Sequence, residues 1–206
     1  IFNMGQTMNL DLAGNMSSSY YDMGQSYIKL TIRNSAVAAA NANDAALDGN
    51  SGAYCLFNRV QLITGGQTIS DIQQFNVLAS ALMTQNVSTE WSRNVGVNLV
   101  GTSTTGAFAG VNGLVTVCLP FILTAIAGTA PTRYIPAFGR DALRFRIYLE
   151  SLVAAFSSAG APVIQIEEPE AIMYVVELSP SAQSLVNAMT GGVYNILCSD
   201  YRTANG

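Results

Sequence analysis

Apolar and polar residues alternate along much of this chain with the two-residue period of strands that bury one face. In Ser26–Asn34, Ile28, Leu30 and Ile32 fall on one side and Lys29, Thr31 and Arg33 on the other, which predicts a half-buried antiparallel strand. Asp141–Glu150 repeats the pattern, with Leu143, Phe145, Ile147 and Leu149 inward and Arg144, Arg146 and Tyr148 outward. Leu114–Phe121 reads as a buried strand ended at Pro120. Val163–Ile166 and Ala171–Leu178 predict two more strands, split by the acidic turn Glu167-Glu168-Pro169-Glu170, and Val193–Cys198 predicts the last. Shorter runs at Met4–Leu12, Asn94–Val100 and Arg133–Pro136 add candidates at the margins.

The stretch Tyr54–Met83 organises the rest. Cys55–Ile63 is strand-prone. Thr64-Gly65-Gly66-Gln67 predicts a tight reversal, because paired glycines supply the positive φ that hairpin turns demand. Ser70 or Asp71 then caps a helix that buries Ile72, Phe75, Leu78 or Val77, Leu82 and Met83, and Trp91 seals that helix against the sheet. A second helix spans Ala182–Met189, started by Ser179-Pro180 and ended by Gly191-Gly192. Eight to nine short strands, two brief helices, several long loops and no βαβ alternation predict an all-β antiparallel eight-stranded jelly-roll sandwich, with one or two short flanking helices. Residues 1–25 read as an N-terminal arm or opening strand, 26–200 as the jelly roll, and 201–206 as a tail or the start of a linker. Ile1 at the start and the unfinished run Asp200–Gly206 read as the ends of a segment from a longer polypeptide.

Composition narrows the function. Half of the 206 residues are hydrophobic and only 11% are charged, well under the quarter or so of an ordinary soluble domain. An exterior so poor in ions predicts that neighbouring subunits cover much of it. No run reaches the roughly 18–20 apolar residues of a membrane helix; Leu114–Ala127 is too short and contains Pro120. A net charge of −4 with one lysine gives no footprint for a phosphate backbone, so direct nucleic-acid binding is not expected. Cys55, Cys118 and Cys198 sit in apolar runs and read as buried thiols, with one disulfide as the alternative. The chain has no histidine, which removes most zinc sites and the Ser-His and Cys-His nucleophile arrangements. No catalytic, cofactor or metal residue is expected.

Each remaining candidate has a plainer reading. Glu167, Glu168 and Glu170 resemble half of a carboxylate pair or a calcium site, but without a second acidic cluster they read better as a solvated turn or an arginine-binding patch. Arg140, Arg144 and Arg146 are an anion-binding candidate, and are expected instead to pair with those glutamates across strands or across subunits. Gly65-Gly66 lacks the lysine of a phosphate loop. Asn86-Val87-Ser88 is a glycosylation sequon in a chain with no sign of secretion.

In element order, Tyr27–Arg33, then LFNRVQLITGGQTISDIQQFNVLASAL, RFRIYLE and AIMYVVELSPSAQSLVNAM followed by Gly-Gly, the chain resembles the first jelly roll of major capsid proteins of tailless icosahedral double-jelly-roll viruses, the adenovirus-like group. The resemblance spans roughly residues 26–200. It implies a structural protein of the virion, assembled in the host cell interior. It also implies contact with other copies of itself and other capsid proteins in homo-trimeric or pseudo-hexameric capsomers. The chain has room for one jelly roll, where that family has two. The expected contact surfaces are the Ile72–Met83 helix flank with Ile72, Phe75 and Leu82, the strand bearing Arg140, Arg144 and Arg146, the glutamates Glu167 and Glu168, and the N-terminal arm. The competing expectation is a carbohydrate-binding or lectin-like jelly-roll module.

Overall fold

A computed structural model describes residues 1–14, 16–35, 45–96, 99–101, 113–121, 134–138, 141–151, 162–195 and 201–202. Two antiparallel sheets face each other. Nine strands are described: β1 (Phe2–Asn3), β2 (Thr7–Asp11), β3 (Ser19–Asn34), β4 (Phe57–Thr64), β5 (Gln67–Gln73), β6 (Gly113–Pro120), β7 (Tyr134–Pro136), β8 (Leu143–Leu149) and β9 (Ile164–Glu177). The first sheet runs β1-β9-β3-β6, with β7 also paired to β3, and the second runs β2-β8-β4-β5. Leaving aside short β7, the hairpin partners nest: β4 with β5, β3 with β6, β2 with β8, β1 with β9. The chain is thus a long ribbon doubled back at Gly65-Gly66, whose φ values of 52° and 77° are those the glycine pair predicts.

The inward positions match the alternation. Leu30 and Ile32 of β3, Val60 and Leu62 of β4, Phe145 and Ile147 of β8, and Ile164 and Ile166 of β9 are all buried in one core shared by both sheets. Burying one such side chain is worth roughly 1.5–3 kcal/mol. Residues 1–25 supply β1, β2 and the first seven residues of β3, so this part of the chain reaches both sheets and places Met8 and Leu10 in the core.

Four sequence expectations change. The segment expected to open a helix, 70–73, is strand β5, with Ile72 paired to Val60. Ser70 and Ile72 keep the two-residue period, and β4 takes its hairpin partner before the chain can turn helical. Helix α1 (Phe75–Asn86) starts only after Gln74, which adopts a left-handed conformation at φ 51°. Residues Val163–Leu178, expected as two strands, form one. The acidic run stays inside β9 as a bulge, with Glu168 at φ 46°, because between the pairs Lys29–Glu170 and Thr31–Glu167 the chain of β9 carries one extra residue. Asn94–Gly96, the opening of the expected run Asn94–Val100, instead belong to a π turn (Ser92–Gly96) after the brief helix α2 (Thr89–Trp91). The last expected strand, 193–198, is not a strand over 193–195, and its remainder lies outside the described residues.

Helix α3 (Pro180–Thr190) follows its sequence signals. Ser179 caps it by accepting the Ala182 N–H, Pro180 occupies the first turn, and Gly191 closes it in a left-handed conformation. Trp91 is half-buried and packs against the core.

Two backbone positions make a paired test. Gln74 bears a side chain where glycine is favoured, so Gln74→Gly should raise stability by about 1 kcal/mol. Gly52 sits at φ 55°, and a Cβ there would collide with the Val100 carbonyl, so Gly52→Ala should lower stability by more than Gln74→Gly raises it. Urea midpoints of the two variants measure both.

Candidate assembly surfaces

The outward positions decide what the sandwich can touch. On the second sheet a polar ladder crosses all four strands. Arg144 donates to Asp11 from Nε at 2.5 Å and from Nη2 at 2.9 Å, and Arg146 Nε donates to Asn9 at 3.3 Å. Arg59 forms a two-point ion pair with Asp71 and lies 5.2 Å from the centre of the Tyr148 ring. Tyr148 donates to Gln61, whose amide donates to Asp71. Hydrogen bonds from Arg144 and Arg59 hold the Asp11 and Asp71 carboxyls below the usual carboxylate range.

On the first sheet the bulge sets the charge pattern. One extra residue shifts the alternation, so that Glu167 and Glu170, three apart, both face outward. Glu167 accepts two bonds from Arg33, at 2.7 and 3.1 Å, and Glu170 accepts one from Lys29 at 3.3 Å. Glu168, at the bulge itself, is exposed.

The expected pairing of Arg144 and Arg146 with Glu167, Glu168 and Glu170 therefore does not occur within the chain. The arginines stand on β8 of one sheet and the glutamates on β9 of the other, with outer faces turned away from each other; Arg144, Glu167 and Glu170 pair with opposite charges on their own sheets, and Arg146 with the neutral Asn9. Arg140 lies outside the described residues. Ile72 and Phe75, expected as contact residues, are buried at 2% and 4% exposure and so cannot present themselves to a neighbour. Phe75 packs 6.1 Å from the Phe57 ring and 6.2 Å from that of Tyr54. Leu82 is half-buried against the same core. Helix α1 is thus consumed by its own sandwich, and of its large apolar residues Val77 is the one left exposed.

A polar clasp fixes α1 in place. Glu150, just past β8, accepts from Asn58 of β4 at 2.6 Å, from Asn76 of α1 at 2.9 Å and from the Ser151 N–H at 2.8 Å. Burial pushes the Glu150 carboxyl upward, but these hydrogen bonds outweigh it and hold the group below the usual range. Cys55 and Cys118 are not joined to each other, and burial pushes the Cys55 thiol up to about 12. Such a thiol is inert.

The surface that sequence reading missed surrounds α3. Tyr20 alternates with core residue Tyr21, so its ring points out of the first sheet. There it meets Phe138 edge-on at 5.2 Å, and Tyr194 packs against Phe138 at 5.6 Å. The Tyr20 hydroxyl donates to Gln183 at 2.9 Å. A groove of about 360 Å³ opens beside these rings, between α3 and the ends of β7 and β9, lined mainly by Tyr134, Pro136, Val176, Val186 and Val193. The one sign of it in the sequence is the spacing of Leu185 and Met189, one helical turn apart.

Among the described residues there is no group of three metal-ligating side chains, and no helix is long and apolar enough to cross a membrane. No protein-family model and no curated protein matches the chain.

The Glu150 clasp makes a pH prediction. Its carboxyl is held low when folded, so its stabilisation is present above the usual carboxylate range and is lost as pH falls below it. Glu150→Gln should cost about 1–2 kcal/mol at neutral pH. Thermal melts across pH should show the gap between the variant and the unaltered chain narrowing as pH falls below the usual carboxylate range and the carboxylate takes up its proton.

Proposed function

We propose that this chain is a viral major capsid protein: a jelly-roll subunit that assembles into an icosahedral shell and performs no catalysis. The nested strand order supports the jelly-roll reading, since a doubled ribbon wrapped into two facing sheets is how that architecture is made. Because jelly rolls also serve as lectins and cupins, the fold alone does not carry the function.

The observation that carries it is the make-up of the exterior. Only 11% of the residues are charged. The Arg33, Arg59 and Arg144 side chains are committed to partners on their own sheets. Tyr134, Tyr174, Leu185, Met189 and Val193 each leave more than half of their surface open. Such a surface favours burial against other subunits over life as an isolated domain. Its partners are other copies of itself and other capsid proteins, in trimeric or pseudo-hexameric capsomers, and its place is the virion, assembled inside the host cell.

A second reading, a module that binds a neutral carbohydrate, draws on the groove, where aromatic rings gather from distant parts of the chain. Sedimentation velocity and electron microscopy of the purified chain separate the two. Shell assembly predicts concentration-dependent oligomers at micromolar concentration. A monomer throughout, with melting temperature raised by a neutral oligosaccharide, would sink the capsid reading and install the second.

A further inference from the structure

We propose that α3 and the groove beside it form a two-fold contact between copies of this chain, an inference that rests on the assembly reading. None of the eleven residues of α3 is buried. A helix of that length is marginal in water without tertiary cover, the usual threshold being about 12–15 residues. Leu185 and Met189 lie one turn apart and are 62% and 80% exposed, forming an apolar ridge along the helix. Val186 and Thr190, on the adjoining face, line the groove. A ridge and a groove side by side are complementary to the same pair on a second copy.

The outer face of the first sheet extends the patch. Tyr134 of β7 and Tyr174 of β9 both lie opposite Asp22 of β3, and Pro136 and Val176 both lie opposite Tyr20. With Leu185, Met189 and Val193, the two exposed tyrosines offer roughly 100 Å² apiece, about 500 Å² in all, towards the upper end for the largest and often functional apolar patch of a monomer. The rest of α3, uncharged and polar, brings the contact towards the ~800 Å² per partner of a stable interface.

Charge selects the occupant. Residues 178–195 contain no charged side chain, and none of the groove's lining residues is charged at neutral pH. In a two-fold contact each surface meets its own copy, so a charged patch would repel itself and a neutral one does not. Asp22, the nearest carboxylate on β3, accepts the Gly24 and Gln25 N–H groups. A sugar is the weaker fit, because several polar side chains at the groove are engaged with one another: Tyr20 with Gln183, Gln183 with Tyr194, and Tyr194 with Asn187. Tyr134 and Asn195 also line it, but most of the surface left open is apolar.

The test compares the unaltered chain with Leu185→Glu/Met189→Glu and Leu185→Ala/Met189→Ala in a concentration series by sedimentation velocity, with circular dichroism to verify the fold. The alanine pair keeps α3 helical, since alanine is the strongest helix former. Both variants should retain the unaltered spectrum and melting temperature while self-association weakens by at least about tenfold. If the unaltered chain associates and both folded variants associate equally, the α3 contact is overturned and the assembly reading stands. If the unaltered chain stays monomeric throughout, the assembly reading itself falls.

Discussion

Two sheets of one-sided strands can hide their apolar faces only against each other, and everything else in this molecule follows from that. Once Leu30, Ile32, Leu62, Phe145 and Ile147 meet in a single core, the alternate residues are forced outward. They then have to be hydrated, paired or covered. Where a cation lies across from a carboxylate on the same sheet the two pair, as Arg33, Arg59 and Arg144 do. Isolated surface pairs of this kind contribute at most about 1 kcal/mol each. Their effect here is to fix the charge pattern of each outer face and to leave few ions facing the solvent.

The two longer helices illustrate opposite outcomes of the same rule. Helix α1 turns Phe75, Ala79 and Met83 into the sandwich and is clasped by Glu150, so its apolar face is used up internally. Helix α3 is built from equally good local signals, a serine cap, a proline in the first turn and a left-handed glycine. It nevertheless leaves no residue fully buried, and is tethered through the Tyr20, Gln183 and Tyr194 network. Local propensity makes a helix in both places; only the surroundings decide whether it belongs to the core or to a surface that asks for a partner.

The bulge in β9 shows how one residue can redirect a whole face. Without it, Glu167 and Glu170 would fall on opposite sides of the strand, and one carboxylate would be driven towards the core at a prohibitive cost. With Glu168 absorbing the extra residue, both stay outside and meet Arg33 and Lys29.

The sequence by itself determined the periodic strands, the reversal at Gly65-Gly66 and the start and stop of α3, because each is a local matter of period, φ preference or capping. Its alternation also placed Arg144 and Arg146 outward. It misplaced the start of α1, because the claim of β4 on a hairpin partner outweighed a helix-like spacing. It mispaired the arginines with the glutamates, because nothing in a linear pattern says which strands share a sheet. Tertiary structure alone decided that Tyr20, Phe138 and Tyr194 would meet beside α3. Residues more than fifty positions apart become neighbours only when strand pairing brings them together, and that pairing depends on the whole fold rather than on any stretch of it.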